Sequence, residues 1–192
     1  YDPDHCGFHS LMVMNNDIIE PGGGFPMHPH RDAEIFTYVI SGKLEHKDSM
    51  GNGSVIEHGD LQYMSAGNGV MHSEFNPSES EQTELYQIWM KPNQSGGQPK
   101  YAEKKLGHDN LKNESKLLFS KDGKDDSIRI RQNAEIYMGH LDEGKSLEVY
   151  TNPSLPHLWI QNISGEFCFG EHNLNKADGL GVIDYNKELI IY

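Results

Sequence analysis

The amino-acid sequence predicts an all-β protein built from two successive β domains. From about residue 10 to 92 the chain breaks into short runs rich in β-branched and aromatic residues, separated by Gly, Asn, Asp and Pro, the pattern of a sandwich or barrel. The same pattern resumes after about residue 124. Sustained helical periodicity is nearly absent, apart from a short helix expected around residues 101–107. A length of 192 residues is enough for one large domain or two small ones, each with a core.

Taken in order, the run Ile35-Phe36-Thr37-Tyr38-Val39-Ile40 reads as a strand that stops at Ser41-Gly42. Asp48-Ser49-Met50-Gly51-Asn52-Gly53 carries the glycines and Asn that tight turns use to reach positive φ, so it reverses the chain between two strands. Gly59-Asp60 marks the next turn, residues 61–64 and 85–90 supply further strands, and Pro92 closes the last because it has no amide hydrogen to donate. Residues 93–99 are turn-rich, and the stretch after them is full of Lys, Asn, Glu and Asp, which reads as a connection running over a surface. Strands are then expected at 128–130, 134–141, 146–150, 157–162, 166–169 and 189–192.

Composition narrows the function. A net charge of −13, from 29 acidic against 16 basic residues, disfavours attraction to nucleic-acid phosphates, so direct nucleic-acid binding is not expected. Cys6 and Cys168 stand far apart with no CxxC spacing, which argues against a disulfide framework or a thiolate zinc site and for a reducing, cytoplasmic setting. No apolar run approaches the roughly 18 residues of a membrane span, and there is no signal-peptide pattern. The chain begins at Tyr1 rather than Met, so it is expected to be trimmed or to lack its ends.

Eleven histidines stand out. In His28-Pro29-His30 two imidazoles sit at i and i+2, which in a strand points both to one face. His72-Ser73-Glu74 repeats that spacing with an imidazole and a carboxylate. A lone strand histidine is more often a satisfied polar residue than a ligand. Four ionisable groups gathered on one face are different, because their burial is costly unless a metal or mutual pairing compensates. Two such pairs on neighbouring inward-facing strands give four N and O donors around one point. Without sulfur, that set suits iron, manganese, nickel, copper or zinc, with positions left open for small molecules.

Four stretches together resemble the pirin family: Gly24-Phe25-Pro26-Met27-His28-Pro29-His30-Arg31-Asp32-Ala33-Glu34-Ile35-Phe36-Thr37-Tyr38, Leu44-Glu45-His46-Lys47-Asp48-Ser49-Met50-Gly51-Asn52-Gly53, Gly59-Asp60-Leu61-Gln62-Tyr63-Met64-Ser65-Ala66-Gly67 and Val70-Met71-His72-Ser73-Glu74-Phe75-Asn76. The likeness is specific over residues 1 to about 100. It is weaker later, through Ile136-Tyr137-Met138-Gly139 and residues 155–165, where no HxH pair occurs. The resemblance implies a bicupin, two tandem double-stranded β-helix barrels. Residues 1–98 would form the metal-binding barrel, 99–124 the linker and 125–192 a degenerate barrel without metal. It implies one divalent metal per chain, usually Fe(II), on His28, His30, His72 and Glu74. It also implies a quercetin 2,3-dioxygenase activity, in which O₂ opens a flavonol with loss of carbon monoxide, on a chain expected to be monomeric.

The carboxylate ligand involves a choice. Cupins in general often take it from a Glu a few residues after HxH, here Glu34, whose parity with His28 and His30 permits it. Pirins use the HxE glutamate, so Glu74 is expected to be the ligand and to accept the proton of a substrate hydroxyl, with Glu34 as neighbour or alternative. Phe36, Tyr38 and Ile40 share that parity and are candidates to line the pocket, Phe25 and Pro26 its mouth. Met27 and Met71 are assigned to packing, Arg31 and Asp32 to a surface pair, and His46, His58 and His108 to solvent. The competing reading is a non-enzymatic, metal-dependent regulatory protein with a protein partner, as with the nuclear co-regulators among eukaryotic pirins; a nuclear location would go with it.

Overall fold

The computed structural model describes residues 6–106, 111–149, 152–185 and 189–191. The chain divides into two compact units, Tyr1–Leu106 with Ile130–Gln132, and Gly107–Arg129 with Asn133–Tyr192. His108 lies outside the described residues.

The first unit contains nine strands: β1 (Leu11–Ile19), β2 (Gly24–His30), β3 (Glu34–Ser41), β4 (Lys43–Asp48), β5 (Gly53–Glu57), β6 (Asp60–Ser65), β7 (Val70–Phe75), β8 (Thr83–Met90) and β9 (Lys100–Lys105). They form a five-stranded sheet in the order β1-β8-β3-β6-β9 and a four-stranded sheet in the order β2-β7-β4-β5. The sheets face each other across apolar side chains drawn from both. Ile19, Val39 and Leu85 of the first meet Leu44 and Ile56 of the second, while Ile35 and Met64 meet Val70, with Trp89 and Tyr101 packed alongside. Period-2 alternation explains who goes inside: in β4, Leu44 and His46 are buried while Lys43 and Lys47 are exposed.

Turn chemistry sets the register. Gly42 takes φ +77° between β3 and β4, where a Cβ would stand 2.6 Å from the Gln82 carbonyl oxygen, so only glycine fits. Between β4 and β5 the Asp48 carboxylate accepts hydrogen bonds from the amides of Met50 (2.9 Å) and Asn52 (3.0 Å) and from the Asn52 side chain (2.8 Å).

The second unit contains β10 (Lys116–Ser120), β11 (Ile128–Arg129), β12 (Glu135–Met138), β13 (Leu147–Val149), β14 (Leu158–Gln161), β15 (Phe167–Phe169), β16 (His172–Leu174), β17 (Gly179–Val182) and β18 (Leu189–Ile191). Its sheets run β11-β10-β12, β13-β18-β15-β16 and β14-β17. Ile160, Phe169 and Leu174 form its core, with Leu158, Phe167 and Leu180 against them. The architecture is all-β, two tandem cupin domains, and the described residues include a 3₁₀ turn at Lys124–Asp126.

Lys100–Lys105 falls where a connecting segment and a short helix were expected, yet it is a strand, pairing antiparallel with β6 from Ser65↔Lys100 to Asp60↔Lys105. Its alternation is hidden because Tyr101 packs against the core while Glu103 and Lys105 on the same face are polar and exposed, and the edge of β6 decides its conformation. Lys116–Ser120, also in that segment, pairs with β12. Among the described residues, no helix is long and apolar enough to cross a membrane.

Candidate metal centre

β2 and β7 lie side by side, and their register sets His28 directly opposite His72. β4 flanks β7 on its other side and brings His46 opposite Glu74. A β-bulge between Phe25 and His28 re-aims the end of β2. The rings of His28, His30 and His72 stand 4.5–4.9 Å apart, centroid to centroid. His28, His30 and His72 form one group able to hold a metal ion, and His46, His72 and Glu74 a second that shares His72.

Hydrogen bonding orients the donors. His28 Nδ1 donates to the Pro26 carbonyl at 2.7 Å, which leaves the Nε2 lone pair facing inward. His72 Nε2 lies 3.0 Å from it. Gln87 Nε2 donates to Glu74 Oε2 at 2.7 Å. The other carboxylate oxygen of Glu74, Oε1, and His72 Nδ1 are buried without a hydrogen-bond partner. Such orphans are costly in a dry interior unless a further group is held there.

Burial shifts the titration of the cluster in a concerted way. It pushes His72 down to about 3 and His30 down to about 4, the neighbouring imidazoles adding to the effect. It pushes the Glu74 carboxyl up to about 7, with Asp17 adding to the rise, against the pull of the Gln87 and Gln62 amides. Near neutrality His30 and His72 are therefore neutral donors and the Glu74 carboxylate is poised to gain or lose a proton. The donor chemistry fits one divalent transition metal.

Around the cluster sits a shell that the sequence did not announce. His46 was expected in solvent but is fully buried. Its Nδ1 receives the Gln62 amide at 3.2 Å, so the ring proton lies on Nε2, which donates to Asp48 Oδ2 at 3.3 Å. Tyr101 stacks on the ring at 4.8 Å. The signal was the parity of His46 with inward-facing Leu44, outweighed by the charges of Glu45 and Lys47, which belong to the opposite face. Gln87 and Trp89 follow Leu85 on one face of β8. The Trp89 indole donates to Gln87 Oε1 at 3.1 Å, and its ring meets His30 edge-on at 4.8 Å.

Other expectations fail on the turn at 31–33, which carries the chain from one sheet to the other, with Asp32 at φ +50°. Parity does not survive that crossing. Glu34 points away from the histidines, where its carboxylate accepts bonds from Ser65 Oγ (2.6 Å), the Arg131 amide (2.9 Å) and the Tyr63 hydroxyl. Phe36 stacks on Tyr63 on that same outer face, and Tyr38 shares its parity, so neither lines the metal pocket. Asp32 receives the Gly96 amide at 2.5 Å instead of pairing with Arg31. Met27 and Met71 do point away from the cluster, but into solvent, at 50% and 39% exposure. Phe25 is likewise exposed. A surface basin of about 380 Å³, lined by Pro29, His30, Arg31, Ser49, Val70 and Met71 among others, reaches His30.

Comparison with known proteins gives the family. Residues 1–90 match the Pirin family model and residues 117–190 that of the quercetinase C-terminal cupin domain. The quercetin 2,3-dioxygenase of Escherichia coli K12 is 40% identical over 184 residues, covering 96% of this chain and 78% of that protein. A putative quercetin 2,3-dioxygenase of Pasteurella multocida is 40% identical over 188 residues, 97% of this chain and 79% of that one. The crystal structure of the bacterial pirin YhhW from Escherichia coli in complex with nickel(II) superposes with a TM-score of 0.88 at 35% identity, covering all of this chain and 85% of that one. With two cupin units, an HxH strand paired to an HxE strand and relatives alike over nearly its whole length, the chain belongs to the pirin family.

Proposed function

We propose that this protein is a metal-dependent dioxygenase that opens a flavonol such as quercetin with O₂, its metal held by His28, His30, His72 and Glu74. One observation carries the reading: Glu74, buried in one group with His46 and His72, the last of which it shares with His28 and His30, keeps one carboxylate oxygen without a hydrogen-bond partner. A purely structural carboxylate would have both oxygens satisfied, as Glu34 does.

A divalent metal at such a site supplies Lewis acidity toward a phenolic hydroxyl and a redox partner for O₂. The protein supplies the rest. His28 is held in one tautomer by Pro26, and His30 and His72 stay neutral because burial resists their protonation. Glu74, pushed up to about 7, would complete the ligand set and take the proton of the substrate hydroxyl, a task for which a pKa near the working pH is best. Iron(II) is our assignment for the metal, and the nickel(II) complex of the Escherichia coli pirin supports a divalent ion.

The test is elemental analysis of protein purified without chelator, followed by quercetin under air with loss of its visible absorbance and carbon monoxide release recorded together. About one metal per chain, with turnover abolished in His28→Ala and Glu74→Gln, is the expected result. Metal without turnover overturns the enzyme and favours a regulatory protein, for which exposed Phe25, Met27 and Met71 beside the ligands offer an apolar contact surface.

A further inference from the structure

Gln87 and Trp89 belong to the five-stranded sheet, whereas the proposed ligands all belong to the four-stranded one. They nevertheless reach two of those ligands. Gln87 Nε2 donates to Glu74 Oε2 at 2.7 Å. An amide side chain can turn over, exchanging its NH₂ for its oxygen at little cost, and would then face a carboxylate with a second oxygen. Here it is held: the Trp89 indole, which can only donate, sends its Nε1 hydrogen to Gln87 Oε1 at 3.1 Å. The same indole stands edge-on to His30 at 4.8 Å and 87°.

We infer that Gln87, oriented by Trp89, is a positioning residue that holds Glu74 Oε2 and so leaves the single oxygen Oε1 to the metal, keeping one coordination position open for substrate. The proposal rests on the ligand set given above. With Oε2 tied to the opposite sheet, the carboxylate cannot turn to chelate through both oxygens. Trp89 acts on Glu74 only through Gln87, while its ring limits the tilt of His30 independently. The indole N–H of the facing sheet thus orients Gln87 by a hydrogen bond, besides the packing of its ring on His30.

The test measures Co(II) affinity by chelator competition, together with the visible ligand-field spectrum of the Co(II) protein, in wild type, Gln87→Leu, Gln87→Glu, Trp89→Phe and the Gln87→Leu/Trp89→Phe double variant. Gln87→Leu and Gln87→Glu are expected to weaken binding about 10- to 100-fold, the usual effect of losing a partner of a metal ligand. Both should change the spectrum toward higher coordination as Glu74 becomes bidentate. Trp89→Phe keeps an aromatic ring at this position but loses the N–H together with part of the indole. It should weaken binding on its own but by less than about twofold once Gln87 is already Leu, because two residues acting through one bond are not additive.

Wild-type affinity and spectrum in Gln87→Leu and Gln87→Glu overturn the inference, and so does full additivity of Trp89→Phe with Gln87→Leu. Failure of wild type to bind Co(II), or unchanged binding in His28→Ala, is a different result and sinks the ligand set itself. Should Gln87→Leu not fold, Gln87→Glu, which preserves the size and shape of the side chain it replaces, still decides the matter.

Discussion

His72 Nε2 stands 3.0 Å from His28 Nε2, on residues directly opposed across β7 and β2. The Nδ1 hydrogen of His28 is committed to Pro26, so the proton between the two rings is the one His72 carries. Two inward lone pairs at that distance repel, and either a proton or a metal must sit between them. A cation that takes both nitrogens therefore replaces a weak hydrogen bond with two coordinate bonds.

His72→Ala and His28→Ala should each lower bound metal from about one per chain to a small fraction. They should also abolish the rise in Tm that excess metal gives the wild type, since only a ligand bound by the native state stabilises it. Elemental analysis and thermal unfolding with and without chelator read both effects. A retained metal-dependent rise in either variant would show that the ion binds elsewhere.

The metal-free protein should lose stability on both sides of an intermediate pH, for opposite reasons. Glu74 is raised from an ordinary 4.5 to about 7. Between those values the unfolded chain gives up this proton before the folded one does, so the group's contribution to stability falls as pH rises, by about 3 kcal/mol in all. His30 and His72 are lowered from 6.5 to about 4 and about 3. There the unfolded chain takes up protons first, and stability falls as pH drops below 6.5. In chelator, the stability of Glu74→Gln relative to wild type should climb steadily from pH 4.5 to 8 by urea denaturation. A difference independent of pH would place the Glu74 carboxyl in an ordinary, solvated setting.

The first unit was legible where its signals are local. HxH and HxE announce two strands facing one centre, and Asp48 to Gly53 announces the hairpin between them. What sequence parity missed depends on which sheet a strand joins. Glu34, Phe36 and Tyr38 are on the wrong side because the turn at Asp32 changes sheets. Lys100–Lys105 looked like a linker because its side chains are mostly polar, whereas its backbone completes an edge. Gln62, Gln87 and Trp89 carry no motif at all. Their part at the site comes from the facing of two sheets, which no spacing within one strand records.

Glu34→Gln should separate structure from chemistry. The carboxylate is 1% exposed and receives three hydrogen bonds, and replacing one oxygen by NH₂ turns at least one donor against another donor. A loss of about 2–3 kcal/mol is expected in denaturant unfolding, with metal content still near one per chain. A loss of metal without loss of stability would restore Glu34 as a ligand.

His46→Phe should do the reverse of what a solvated histidine would. The ring is buried between Tyr101 and His72, with centroids at 4.8 and 5.3 Å, so a phenyl ring fills its space but offers nothing to Gln62 or Asp48. Asp48 keeps its bonds from Met50 and Asn52, which limits the damage to the hairpin. Gln62 loses its acceptor inside the barrel and Asp48 Oδ2 loses a donor, and stranded polar groups of this kind cost about 1–3 kcal/mol each. A surface histidine would change stability by less than about 0.5 kcal/mol. Urea unfolding of the metal-free His46→Phe protein distinguishes the two. If the variant also keeps wild-type metal stoichiometry, His46 supports the cluster from behind; if it loses the ion, the alternative donor group of His46, His72 and Glu74 is the one the metal uses.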